Sequence, residues 1–146
     1  MSLENLVRIG QLKAHHAERA ETARLLEAAE RNLVDARNPG NSTETRFDCA
    51  YKALMQSALA ALQASGYRPD NKRPGHHATV IQSLSLTLGI EGARVAIFDK
   101  LREKRNLADY TGAHLDEVAT DACIAHATRL LAELREWLGK VHPELL

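Results

Sequence analysis

Ser42–Gly66 reads STETRFDCAYKALMQSALAALQASG, and this stretch decides the fold. Phe47, Ala50, Tyr51, Leu54, Ala58, Ala61 and Leu62 recur at the spacing that gathers side chains onto one face of an α-helix. Ser42 or Thr43 can cap its start, and Glu44 then meets the positive end of the helix dipole. Gly66 stops it. So many inward positions hold alanine that a neighbouring helix must come close, because small side chains shorten the distance between axes. The stretch predicts the central helix of a bundle.

The same period continues on both sides. Upstream, Leu3, Leu6 and Val7 open an amphipathic segment, the stripe thins to alanines from Ala14 to Ala23, and Leu26, Ala29, Leu33 and Ala36 resume it. One long helix or two separated near His15 satisfy this pattern equally. Asn38-Pro-Gly-Asn41 ends the unit with turn chemistry. Downstream, the basic connector Tyr67–Gly75 is irregular, a shorter helix runs from about His76 to Leu88, and another from about Ala93 to Asp109. Thr111-Gly112 breaks the chain before a last helix carrying Leu115, Val118, Ala122, Cys123, Ala127, Leu130, Leu134 and Trp137. Neither β-branched alternation nor an internal repeat is present. The expectation is all-α: one domain over residues 1–146, an up-and-down bundle of five or six helices, antiparallel where loops are short.

A chain of 146 residues can bury a core without disulfides or metals. Zero formal net charge and a pI near 7.1 remove any global electrostatic drive toward nucleic acid or membranes, leaving only local patches. Thirteen of the nineteen basic residues are arginine, which suits planar recognition of carboxylate or phosphate and equally suits surface ion pairs. Cys49 and Cys123 fall inside helices at no metal-ligand spacing and read as reduced core residues of an intracellular protein. No window approaches the roughly 20 apolar residues of a membrane span, so a soluble, cytoplasmic protein is expected.

The chemistry concentrates in Arg102-Glu-Lys-Arg-Asn-Leu-Ala-Asp-Tyr110. A stripe through Ile97, Phe98 and Leu101 leads next to Arg105 and Ala108. An arginine in a leucine position must be paired or reach into a cleft, since desolvating a lone guanidinium costs several kcal/mol. Asp109 stands at i+4 from Arg105, and Tyr110 at i+4 from Asn106. Asp48, on the central helix, is a second partner for Arg105. Two readings follow. In one, Arg105, Asp109 and Asp48 form an internal ion-pair network that sets helix register. In the other, Arg102 and Arg105 serve a cleft: Arg105 grips a phosphate or carboxylate bidentately, Asp109 orients it, Asn106 donates to the ligand and Tyr110 closes one wall.

The histidines offer less. His15 and His16 point about 100° apart on a helix, cannot share a metal, and read as solvated. His76 and His77, where the basic connector enters a helix, could hold a phosphate with Arg68, Lys72 and Arg73, or simply form a turn and cap. HExxH, a Cys/His quartet, GxGxxG, the P-loop and a nucleophile elbow are all missing, so neither a metal nor a cofactor is expected.

Several segments together resemble the HEPN superfamily, small all-helical domains found beside nucleotidyltransferases and in toxin–antitoxin systems. They are Arg46-Phe-Asp-Cys-Ala-Tyr51, Gly66-Tyr-Arg-Pro69, Pro74-Gly-His-His77 and Arg105-Asn-Leu-Ala-Asp-Tyr110, in that order over roughly residues 25–140. The resemblance implies a HEPN-like bundle, a homodimer, and either a nucleotidyltransferase partner or a nucleotide or RNA ligand. Its catalytic members carry an arginine, four to six residues, then a histidine, and cleave RNA without metal: histidine handles protons and arginine steadies the phosphorane. Neither Arg102 nor Arg105 has a histidine in that window, and His114 lies too far on. Arg8–His15 and Arg135–His142 match formally, but about two such pairs arise by chance in this composition, and the second runs through Gly139 into the tail. The missing histidine favours a non-catalytic binding module over a toxin-type, metal-independent endoribonuclease. A structural helical adaptor is the third class.

Overall fold

The computed structural model describes residues 1–146. Ser42 Oγ accepts the Thr45 amide at 3.2 Å and starts α3, Thr43–Ala64, which ends where Gly66 turns the chain with φ 99°. The expected face is buried: Phe47, Ala50, Tyr51, Leu54, Ala58, Ala61 and Leu62, joined by Ala53, Ser57, Ala60 and Ala64. Burial thus extends well round α3, as a central helix requires. Truncating Leu54, which is 0% exposed, to alanine would cost about 2–5 kcal/mol.

Side-chain pairs between helices define the topology. α2, Arg19–Arg37, runs antiparallel to α3 across the 38–42 turn, with Arg46 Nε donating to the Ala36 carbonyl at 2.8 Å and Asn32 to Gln56 at 2.9 Å. α6, Gly92–Thr111, runs against α7, Glu117–Val141: Arg94 meets Glu133, and Phe98 meets His126. The starts of α3 and α7 lie together, where Arg46 Nη2 stands 3.7 Å from Asp121. Direction therefore alternates through α2, α3, α6 and α7, as in an up-and-down bundle. α4, His76–Gln82, and α5, Leu84–Thr87, cross between α3 and α6. Ser83 joins them in helical conformation, with its buried hydroxyl donating to the Val80 carbonyl at 2.6 Å, so the sequence reads them as one helix. Counting them together and adding α1, Leu3–Arg8, the helices number six. One cluster of 32 buried hydrophobic residues draws on all of them and is completed by Leu145 in the closing 3-10 turn.

Three local expectations change. Upstream the chain is divided, as one of the two readings has it, but by more than a short break near His15: α1 ends before a turn at Gly10, a strand, β1, spans Leu12–Ala14, and α2 starts only at Arg19. β1 pairs antiparallel with β2, Tyr67–Pro69, in the register Leu12↔Pro69, Lys13↔Arg68 and Ala14↔Tyr67. A ladder this short shows no alternation to read. It forms because Leu12 is buried and because His15 and Asp70 amides extend the pairing to the Gly66 and Gln11 carbonyls. On α6 the buried stripe is Val95, Phe98 and Leu101, and Ile97 is 40% exposed. α7 begins only at Glu117, after the Asp116 carboxylate accepts the Ala119 amide at 2.7 Å; Leu115 is buried ahead of the helix and Val118 faces outward.

Both cysteines are free. Cys123 is buried, and burial pushes its thiol up to about 12; Cys49 is only half-buried at the edge of the core. No helix is long and apolar enough to cross a membrane.

Candidate functional site

α6 delivers Arg105 to the second turn of α3. Arg105 Nε donates to Asp48 Oδ1 at 2.8 Å, and the guanidinium carbon lies 5.1 Å from the centroid of the Tyr51 ring. Asp48 and Tyr51 are three residues apart on one face of α3, so a single side chain from α6 reaches both. One turn back, Arg102 Nε donates to Asp99 Oδ1 at 2.8 Å within the helix. Each guanidinium is thus anchored through Nε, and neither uses an Nη group in a hydrogen bond within the protein; Arg102 Nη2 comes only to 4.0 Å of Glu103. Burial opposes the Arg105 charge, but Asp48 and then Asp109 outweigh it and hold the group above its ordinary value. The Asp99 hydrogen bond does the same for Arg102.

Tyr51 is the hinge of the cluster. It is 2% exposed, its hydroxyl is buried with no hydrogen-bond partner, and burial pushes its pKa up to about 12 against the pull of Arg105 and Arg102. Its ring lies 6.5 Å from that of His77, which His76 meets edge to face at 4.6 Å. Burial lowers the pKa of His77, and His76, Arg105 and Arg102 lower it further by repelling a second cation. An arginine pair beside an imidazole kept neutral can grip an anion and accept a proton. Cys123 is no nucleophile here, since its raised pKa keeps it a thiol.

The remaining candidates scatter around α6. Asp109 forms no ion pair with Arg105; it lines a cleft of about 250 Å³ with Glu44, Asp48, Arg105 and His114, in which acidic groups outnumber the arginine. That excess makes it a poor seat for phosphate. Tyr110 is 90% exposed and closes no wall, because five positions from Arg105 carry it about 140° round the helix. The aromatic partner of Arg105 is Tyr51. Asn106, a quarter-turn away, is half-buried and makes no side-chain hydrogen bond. Of the basic residues that could join His76 and His77 around a phosphate, Arg73 turns its Nη2 back to the Ile9 carbonyl at 3.2 Å. His77 instead meets the α6 arginines through Tyr51.

His15 and His16 lie between β1 and α2, not on a helix. His15 is tied to Glu21 at 2.7 Å, while His16 is exposed. α7 runs unbroken through Gly139 to Val141, with His142 just beyond it, and the arginine and histidine are separately engaged: Arg135 with Glu30 and His142 with Glu144. A further pair left no trace in the sequence. Arg94 grips Glu133 in a bidentate contact of 2.9 and 2.6 Å and lies over the Phe98 ring, from two helices whose meeting no spacing announces.

No group of three or more His, Cys, Asp or Glu side chains is placed to hold a metal ion. No protein-family model, curated protein or solved structure matches the chain.

Proposed function

We propose that this protein is a HEPN-like helical binding module that holds a phosphate of a nucleotide or nucleic acid on Arg102 and Arg105. One observation carries the reading: two guanidiniums, one turn apart on α6, are both fixed by their Nε atoms while their Nη groups make no hydrogen bond within the protein. Fixing Nε removes much of the entropy a flexible arginine loses on binding, and the Nη edges suit planar, bidentate contact with phosphate oxygens. The acidic cleft beyond Asp48 directs an anion away from Asp109 and toward the His77 side. A homodimer and a nucleotidyltransferase-type partner belong to the same proposal and rest on the resemblance.

Fluorescence anisotropy with a labelled single-stranded RNA, competed by pyrophosphate, tests the site. Replacing both arginines by alanine should weaken binding by at least about tenfold, given charge-assisted contacts of this kind. Equal binding by wild type and the double variant refutes the assignment.

The ribonuclease reading gains from His77, whose neutral imidazole beside the arginines could take the proton of a 2′-hydroxyl. That oxygen would attack phosphorus, the bond from phosphorus to the 5′-oxygen would break, the departing oxygen would take a proton from water while His77 keeps the one it accepted, and a 2′,3′-cyclic phosphate would remain. RNA cleavage that persists in EDTA and disappears in both His77→Ala and Arg105→Ala would establish it over simple binding.

A further inference from the structure

Beside the arginine pair lies a small groove that the phosphate reading leaves unused. It encloses about 170 Å³ between α3, β2 and α4. Met55, Leu59, Pro69 and Val80 line it, together with His76 and His77. Met55 follows Tyr51 by one turn of α3, and the His77 ring lies 6.5 Å from the buried Tyr51 ring over which Arg105 lies.

We propose that this groove receives the base of a nucleoside phosphate whose phosphate rests on Arg102 and Arg105. The inference rests on the phosphate reading and adds the chemistry of the rest of the ligand. Three features support it. The groove is apolar and bordered by imidazole rings, which stack on the faces of bases. Two amides stand at its rim: Asn71 has no side-chain partner, and Gln56 spends only Oε1 on Asn32, which leaves its NH₂ free. Such groups meet the donors and acceptors along a base edge. Charge completes the match, because His77 belongs both to the groove and to the group of side chains around Tyr51 that includes the two arginines. An apolar peptide side chain would fill the groove but leave the arginines unused.

The N-terminal segment sets the groove's shape. β1 holds β2, and hence Pro69, in place, and Gln11 accepts both the Asp70 amide and, through its side chain, the Thr79 hydroxyl on α4. The groove is therefore formed before any ligand arrives.

Calorimetric titration of the full chain with a nucleoside 5′-monophosphate, with ribose 5-phosphate and with a short single-stranded RNA tests the proposal. The nucleotide should bind about tenfold more tightly than ribose 5-phosphate, as stacking of one base predicts. His76→Ala should erase that advantage while leaving ribose 5-phosphate binding unchanged, and Asn71→Ala, in an exposed loop, should reduce it in a fully folded protein. Tighter binding of RNA than of the mononucleotide identifies a strand as the source, and equal binding identifies a free nucleotide; both outcomes support the groove. Equal affinity for nucleotide and ribose 5-phosphate, both lost in Arg102→Ala, overturns the groove and spares the phosphate site. Binding of neither overturns both.

Discussion

Arg105 and Asp48, 57 residues apart in the chain, are joined by one 2.8 Å contact between Nε and Oδ1 that ties the end of α6 to the start of α3. The contact is not deeply buried. Arg105 keeps 24% of its side chain exposed and Asp48 40%, so water can solvate whichever partner survives a substitution.

Arg105→Ala should therefore fold, with a loss of about 1–2 kcal/mol from the ion pair and the Tyr51 contact together. Urea denaturation measures this directly. A loss beyond about 3 kcal/mol is the mark of a buried structural lock and would remove the case for a ligand site.

Arg94 should behave differently. Its side chain is 13% exposed and its two terminal nitrogens meet both oxygens of Glu133, so Arg94→Ala leaves a partly buried carboxylate alone and should cost about 2–4 kcal/mol. The hydrogen bond from Arg94 holds Glu133 below the usual carboxylate range. Its contribution is then complete above the unfolded-state value and is lost as pH falls through the lower folded-state value, because the unfolded chain takes up the proton first. Urea midpoints followed from neutral to acid pH should drop through that window in wild type and flatten there in Glu133→Gln.

Tyr51 carries a buried hydroxyl without a partner. Tyr51→Phe should leave stability unchanged or raise it by up to about 1 kcal/mol, since removing an unsatisfied polar group removes its desolvation cost. A destabilisation of about 1 kcal/mol or more in thermal melts would mean that the hydroxyl has a hydrogen bond after all.

His77 should titrate below 6.5 in NMR spectra, for burial and the neighbouring cations all disfavour its proton. Arg102→Ala and Arg105→Ala should each move its midpoint upward. A midpoint insensitive to both would separate His77 from the arginines and leave the ribonuclease reading without its base.

Much of this architecture is legible in the chain because the information is local. The face of α3 follows from a period that any reader can count, and Ser42 and Gly66 mark its ends through hydrogen bonding and backbone freedom within a few residues. The β1–β2 ladder escapes such reading, because three residues on each side leave no pattern and their partners lie more than fifty positions away. Val118 and Ile97 were misplaced for a related reason: the apolar period sets that a helix has a face, while the packing of α6 and α7 sets which way it turns.

The site divides along the same line. By itself the sequence determined that an arginine interrupts an apolar stripe on a late helix, that Asp48 is within the central helix, and that no metal or nucleotide motif is present. Only the tertiary structure decided that Arg105 chooses Asp48 over Asp109, that Tyr51 replaces Tyr110 as its aromatic neighbour, and that His77 joins them. Helical periodicity is a property of neighbours three or four residues apart and survives in any context. Which charged groups meet across helices depends on axial rotation and on burial, and these are set by the whole core at once.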